Sequence, residues 1–161
     1  MTALTPDRFV FNARVSAERE DALADKLTAH NKARSPLWDQ NHDGQFTAEP
    51  LHLFVLDSQK RVIGGLTGRT HYLRSWLEVS ILWVDESHRG LGLGRELMER
   101  AEAEAIRRGC LYARLATGRY QAPGFYEKLG YILYGTLENC LPGDTAYYYC
   151  KQLAPPENCP V

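Results

Sequence analysis

Cysteine is scarce in this chain, and its spacing shows no sign of a metal or redox site. The 161 residues contain four cysteines, at positions 110, 140, 150 and 159. No two of them form a C-x-x-C pair, and no histidine stands near them at the spacing of a zinc ligand. We therefore expect four reduced thiols, no bound metal ion and a cytoplasmic location.

Long apolar runs and an excess of one charge are also missing. The longest apolar stretches, such as residues 51–56 and 80–84, fall far short of the ~20 residues that span a membrane. The first residues, MTALTPDRFVF, show no basic segment followed by an apolar one, so we expect no secretory signal. A formal net charge of −1 gives no strong field to attract nucleic acid. We expect neither a membrane nor nucleic acid as a partner.

What is present is the composition of an ordinary globular protein. Hydrophobic residues make up 44% of the chain and charged residues 24%. No repeat, linker or low-complexity tract divides the sequence, so we expect a single domain over residues 1–161. A chain of this length hides roughly 70% of its extended surface, which is enough for a core of its own.

Apolar periodicity predicts one long helix between groups of short strands. Leucine or alanine recurs every four residues from Leu93 to Ala105, and Gly109 is placed to end the helix. This helix joins two strands, and such a crossover requires the two strands to be parallel. Antiparallel strands precede it, which indicates a mixed α/β sheet. The predicted strands are 8–15, 51–57, 62–71, 77–84, 110–117, 131–136 and 145–153, and the other predicted helices are 17–32 and a short one beginning near 122.

The stretch RGLGLG, Arg89 to Gly94, places three glycines between a predicted strand and the long helix. Backbone N–H groups at such a turn bind anions, usually phosphates. A Walker A loop is excluded because no lysine follows, and the dinucleotide fingerprint G-x-G-x-x-G fails because its last position is Leu97. The remaining template, R/Q-x-x-G-x-G/A, is satisfied by Arg89, Gly92 and Gly94.

A second motif, QAPGFYEKLGY, runs from Gln121 to Tyr131. Together the two motifs, in this order and separated by one helix and one strand, resemble the GNAT family of N-acetyltransferases over roughly residues 51–153. The resemblance implies the GNAT fold: a mixed, mostly antiparallel seven-stranded sheet with a central parallel pair, flanked by about four helices. It also implies transfer of an acetyl group from acetyl-CoA to a primary amine by direct attack in a ternary complex.

The resemblance assigns the cofactor to a gap beside the glycine loop. In this family the strands before the loop and after the long helix splay apart, and the peptide-like pantetheine arm pairs with the exposed backbone. The diphosphate lies on the loop amides at the helix N-terminus, where the helix dipole adds only ~0.3 to 1 kcal/mol per charge. The residues implied are Leu82, Trp83 and Val84 for the pantetheine, and Arg89, Gly90, Leu91, Gly92, Leu93, Gly94 and Arg95 for the diphosphate.

Acyl transfer needs an acid for the departing thiolate. The tyrosine of the family's F-Y pair gives that proton, which assigns the role to Tyr126. A phenol suits the task because it is protonated at pH 7 and its pKa of about 10 lies within roughly 2 units of that of a thiol.

The base that removes the amine proton is less defined. By strand parity Glu78 shares a face with Ser80, Leu82 and Val84, in a region where many family members place a carboxylate or histidine. An ordinary carboxylate lies ~6 pKa units below a lysine-like amine. Glu78 would therefore need a raised pKa, a water relay or an acceptor of low pKa. His71 is the alternative, and proximity alone could also suffice.

Two features depart from the family pattern or compete with it. Arg119 stands where many members carry an asparagine that holds the pantetheine, so that role is not transferred. Residues 39–50, DQNHDGQFTAEP, resemble a calcium loop but place proline where the bidentate glutamate belongs. We instead expect a loop beside the acceptor site, with Trp38 and Phe46 covering it.

The sequence leaves the acceptor and the assembly open. A small-molecule or a protein amine fits equally, homodimers are common in the family, and nothing in the sequence decides either point. The alternative function is a catalytically silent acyl-CoA-binding sensor or scaffold, which the intact Tyr126 disfavours.

Overall fold

The computed structural model describes residues 13–34, 48–71 and 75–154. The contacts along the chain divide it into two units, residues 1–43 and residues 44–161. A single domain over the whole chain stays a prediction. Within the described ranges no helix is long and apolar enough to cross a membrane.

The first unit contributes one helix, α1 (Ala17–Arg34). The hydroxyl of Ser16 accepts a hydrogen bond from the amide of Arg19 at 3.4 Å and so caps the N-terminus of the helix. The apolar side chains of Leu23 and Leu27 are 69% and 58% exposed, and α1 buries no residue.

The first predicted strand, 8–15, is not reproduced where it can be checked. Residues 8–12 lie outside the described ranges, and residues 13–15 are not in a strand. The alternation in this stretch is only partial, and β propensity forms a strand only where a neighbouring strand is available to pair.

The second unit is a six-stranded mixed sheet. Its strands are β1 (Ala48–Leu56), β2 (Val62–His71), β3 (Trp76–Val84), β4 (Tyr112–Gly118), β5 (Ile132–Leu141) and β6 (Asp144–Gln152). They lie in the order β1-β2-β3-β4-β6-β5, and all neighbours are antiparallel except β3 and β4. The central parallel pair is thus confirmed. The predicted seven strands and about four helices compare with six strands and three α-helices in the described residues.

Two helices belong to this unit, α2 (Leu93–Arg107) and the short α3 (Pro123–Glu127). The predicted apolar face of α2 is buried through Leu97, Ala101 and Ala105, and it packs on the same core as Leu77 of β3. Gly109, with φ of +83°, ends the helix region as predicted, because a left-handed residue there carries the chain away from the helix axis.

A β-bulge in β3 determines where the sheet opens. In the pairing of β2 with β3, Thr67 lies opposite Ile81 and Gly68 opposite Val79, so Ser80 is the extra residue. Gly68 is required here, because a Cβ atom on it would lie 2.5 Å from the carbonyl oxygen of Glu78. The pairing of β3 with β4 runs only from Trp76 to Val79, so the two strands separate at the bulge.

One charged group lies inside the core beneath α2. Glu102 is 7% exposed and accepts hydrogen bonds from the Tyr131 hydroxyl at 3.0 Å and the Lys151 ammonium at 2.6 Å. Burial, with the nearby Glu102 charge, raises the pKa of Tyr131 and keeps it a donor. A buried carboxylate is tolerated only with such partners, so this network ties α2 to β6.

We expect Lys151→Met to lower the free energy of unfolding by about 2 kcal/mol, because it removes a charged hydrogen bond from a buried carboxylate. The matched control is Arg100→Met, which breaks the exposed Arg100–Glu96 pair of the same 2.6 Å length and should cost at most about 0.5 kcal/mol. Urea unfolding measures both. Equal losses in the two variants would contradict the role given to burial.

Candidate active site

The separation of β3 from β4 opens a cavity of about 970 Å³. One wall is the end of β3, and the opposite wall is the end of β4 with α3; the glycine loop and the start of α2 close one end. The lining includes the predicted residues Leu82, Trp83, Val84, Arg89, Gly90, Gly92, Leu93, Gly94, Arg95 and Tyr126. Leu91 is 70% exposed and is not among the lining residues.

The glycine loop presents backbone amides that have no acceptor in the part of the chain that the structure describes. Gly90 and Gly92 adopt φ of +80° and +83°, which disfavours a side chain even though nothing lies within 4 Å of a Cβ there. No side chain caps α2, and the first backbone bond runs from the amide of Glu96 to the carbonyl of Gly92 at 3.0 Å. Among the described residues no backbone carbonyl accepts from the amides of 90–95. Such a loop at a helix N-terminus is suited to an anion.

The two arginines at the ends of the loop are held by the protein itself. Arg89 Nε donates to the carbonyl of Val84 at 3.0 Å, and its guanidinium lies 3.6 Å from Glu86. Arg95 lies 3.5 Å from Glu99 one turn along α2. Both side chains are more than half exposed, so these pairs are weak enough to exchange for a ligand.

Tyr126 projects from α3 into an aromatic cluster. Its ring centroid lies 5.2 Å from Phe125, 6.0 Å from Tyr131 and 6.1 Å from Tyr149. Burial raises the pKa of Tyr126 above its ordinary value of 10, so the phenol stays protonated through the neutral range. The Tyr149 hydroxyl donates to Glu127 at 2.9 Å and fixes α3 against β6.

A smaller cavity of about 330 Å³ adjoins the bulge. It lies on the sheet face opposite α2, since the alternate residues of β2 and β3 on the other face are buried in the core. Ser80 lines both cavities, so the two share one wall residue at the bulge. The lining residues are His52, Thr67, Gly68, Arg69, His71, Glu78 and Ser80.

Glu78 is held by two partners in this smaller cavity. Arg114 of β4 donates from Nη2 to Glu78 Oε2 at 2.9 Å, and His71 Nε2 lies 3.2 Å from the same oxygen. Arg114 in turn stacks over the ring of Trp76 at 4.2 Å. The hydrogen bond from Arg114 lowers the pKa of Glu78, with a smaller contribution from His71. The raised pKa that a directly acting base would need is therefore not found.

The prediction that Glu78 shares a face of β3 with Leu82 and Val84 is wrong. Leu82 and Val84 pack against the core below α2, whereas Glu78 lines the cavity on the other face. The cause is the bulge at Ser80, because one extra residue reverses the alternation of all residues that follow it.

Arg119, whose role was left open, is directed to β6. Its Nη2 donates to Thr145 at 3.0 Å and its Nε lies 3.8 Å from Asp144. It is not among the residues that line the larger cavity.

Two residues of the site have no readable signal in the sequence. Ser80 lines both cavities because it is the extra residue of the bulge, and Arg114 reaches Glu78 because β3 and β4 are parallel in this register. The loop residues Trp38 and Phe46 and most of the calcium-like stretch lie outside the described ranges. Within those ranges no three His, Cys, Asp or Glu side chains are grouped to hold a metal ion.

Comparison with known proteins agrees with this arrangement. The sequence profile of the acetyltransferase (GNAT) family matches residues 16–131. The blasticidin-S acetyltransferase of Streptomyces morookaense is 36% identical over 133 residues, which are 80% of this chain and 96% of that protein.

Solved structures show the same fold. An acetyltransferase from Bacillus cereus superposes with a TM-score of 0.71 at 27% identity, over 92% of this chain and 99% of that one. An aminoglycoside 6'-N-acetyltransferase complexed with coenzyme A shares the fold at 20% identity, with a TM-score of 0.61 over 89% of this chain and 96% of that one. The chain therefore belongs to the acetyltransferase (GNAT) family and is an acyltransferase.

Proposed function

We propose that this protein transfers the acetyl group of acetyl-CoA to the primary amine of a small molecule, by direct attack in a ternary complex. The observation that carries the proposal is the continuity of three features: the unpaired edge of β3, the free loop amides and the phenol of Tyr126 all face one cavity. A relative named for acetylation of an antibiotic and a structural neighbour complexed with coenzyme A support it.

The cofactor site follows from unmet backbone hydrogen bonds. Strand groups that have lost a neighbour need another partner, and an amide-containing pantetheine arm between β3 and β4 supplies one. We place this arm against the backbone of Leu82, Trp83 and Val84. The diphosphate lies on the amides of residues 90–95, and it draws the Arg89 guanidinium away from the Val84 carbonyl, which frees that oxygen for the arm.

Tyr126 serves as the acid at the thioester end. Because its pKa is raised, it carries a proton at every working pH and gives it to the departing thiolate. It regains a proton from the nitrogen of the tetrahedral intermediate, so each turnover leaves Tyr126 as it began. The proton that the acceptor ammonium lost before attack is the one released to solvent.

Glu78 and His71 act together on that first proton. The lowered pKa of Glu78 keeps it ionised, so it is suited to hold the ammonium or a bridging water and not to retain the proton. The imidazole Nε2 of His71 lies 3.2 Å from Glu78 Oε2, within reach of a proton that Glu78 passes on. We assign Glu78 as the relay and His71 as the group that holds the proton.

The acceptor is small because the cavity beside Glu78 is small. About 330 Å³ is at the lower end of the ~300 to 1,000 Å³ typical of small-molecule sites. A silent CoA-binding sensor or scaffold remains the second candidate, favoured only by the cofactor cavity itself.

We expect Gly92→Ala to weaken coenzyme A binding about tenfold, because a side chain disfavours the left-handed φ that aims the loop amides. Gly109→Ala is the matched control: its φ is also +83°, it also has nothing within 4 Å, and it lies at the other end of α2. Calorimetric titration with coenzyme A should separate the two. Equal weakening in the two variants would mean that coenzyme A binding depends on the stability of α2 and not on the conformation of the loop.

We expect Tyr126→Phe to lower kcat by about 10²-fold or more, while the dissociation constant of coenzyme A changes little, because only the acid is removed. Tyr134→Phe, an exposed tyrosine of β5, should leave both unchanged. Thiol release from acetyl-CoA with blasticidin S and other amines measures kcat. Full activity of Tyr126→Phe would remove it from the mechanism.

We expect His71→Gln and Glu78→Gln each to lower kcat while the dissociation constant of coenzyme A changes little, because both side chains line the smaller cavity and neither lines the larger one. Steady-state kinetics with blasticidin S and calorimetric titration with coenzyme A measure the two quantities. Full activity of both variants would assign the removal of the acceptor proton elsewhere.

A further inference from the structure

Arg69 contributes a positively charged side chain to the wall of the smaller cavity. It lies on β2 directly opposite Glu78 of β3, and both side chains line the cavity. The two residues are thus neighbours across one strand pair, on the face where the acceptor of the proposed reaction would sit.

The guanidinium of Arg69 has no hydrogen-bond or ion-pair partner among the described residues. No hydrogen bond or ion pair joins Arg69 to any described residue, although Glu78 is its cross-strand neighbour. The carboxylate of Glu78 instead accepts a hydrogen bond from Arg114 at 2.9 Å, and His71 Nε2 lies 3.2 Å from the same oxygen. Arg69 is exposed at the cavity, and no described residue uses its guanidinium donors.

The charge of the cavity argues against a polycationic acceptor. The residues that line the cavity include one carboxylate, Glu78, and one guanidinium, Arg69. Arg114, which is not a lining residue, forms an ion pair with this carboxylate and balances its charge. A ligand with several ammonium groups would meet an unpaired guanidinium and only a shared carboxylate. An anionic oxygen group would meet a fork of donors that fits it.

We propose that the acceptor is an amine that also carries a carboxylate, and that Arg69 binds this carboxylate while the amine lies toward Glu78 and Ser80. This inference rests on the proposed acetyl transfer and adds the class of acceptor. Arg69 is then a specificity-determining residue, which acts on KM for carboxylated acceptors and not on the chemistry of transfer.

The test uses four amines of one length: β-alanine, β-alaninamide, 1,3-diaminopropane and 2-aminoethylphosphonate. With the wild-type protein and acetyl-CoA we expect kcat/KM for β-alanine to exceed that for β-alaninamide about tenfold or more, with the diamine lowest. Arg69→Gln should abolish this preference through KM. Arg69→Glu should reverse it in favour of the diamine, an outcome that a merely structural role cannot produce.

Arg61→Gln is the matched control, because Arg61 precedes β2 directly and is already paired with Asp57 at 2.7 Å; it should keep the wild-type order. The same order in wild type and Arg69→Glu would overturn the inference, and a clear preference for the phosphonate would overturn its assignment to a carboxylate. Turnover without preference among the four amines contradicts only this inference. Absence of turnover with every amine, blasticidin S included, while coenzyme A still binds, contradicts the proposed function itself.

A binding measurement tests the inference without turnover. In a protein labelled with ¹⁵N-arginine, the Nε resonance of Arg69, assigned through Arg69→Lys, should move on addition of β-alanine and stay in place with β-alaninamide. Equal movement with both compounds, or with neither, would contradict a carboxylate site.

Discussion

The loss of hydrogen bonding between β3 and β4 is the constraint on which the rest of this structure depends. Two parallel strands that pair for four residues and then separate leave backbone donors and acceptors inside a folded protein. The bulge at Ser80 produces this separation, and Gly68 permits it by letting the neighbouring backbone approach to a distance that no Cβ would allow. Since α2 begins directly beyond the opening, a loop of unused amides lies at its end. The larger cavity is thus a consequence of sheet geometry.

The same bulge divides the chemistry between two faces of the sheet. After Ser80, Leu82 and Val84 face the core side and the larger cavity, whereas Glu78 before it faces the smaller cavity. In the proposed reaction the cofactor and the acceptor would approach from opposite sides of the sheet, with Ser80 between them. The charges suit this proposal: Arg89 and Arg95 stand at the glycine loop, and Arg114 pairs with Glu78, while no described residue pairs with Arg69.

The sequence predicted the parts of this fold whose signals are local. The α2 stripe, the end of that helix at Gly109 and the strand limits of 62–71 are confirmed, because each depends on periodicity or on one residue's conformation. The predicted face of Glu78 was wrong: glycines such as Gly68 are typical of a bulge or a close backbone approach in β2, but the extra residue, Ser80 of β3, is determined by the pairing of the two strands. The contacts of Arg114, and the lack of a partner for Arg69 among the described residues, likewise depend on tertiary structure. The first predicted strand failed where it can be checked, at residues 13–15, because its alternation was only partial.

The central claim is that coenzyme A lies in the opening between β3 and β4 with its diphosphate on the loop amides. Amide chemical shifts of ¹⁵N-labelled protein, followed during titration with coenzyme A, test it most directly. The account predicts the largest changes at residues 81–84, 89–95 and 115–118, with small changes in β5. Large changes confined to other parts of the chain, or none at saturating coenzyme A, would contradict it.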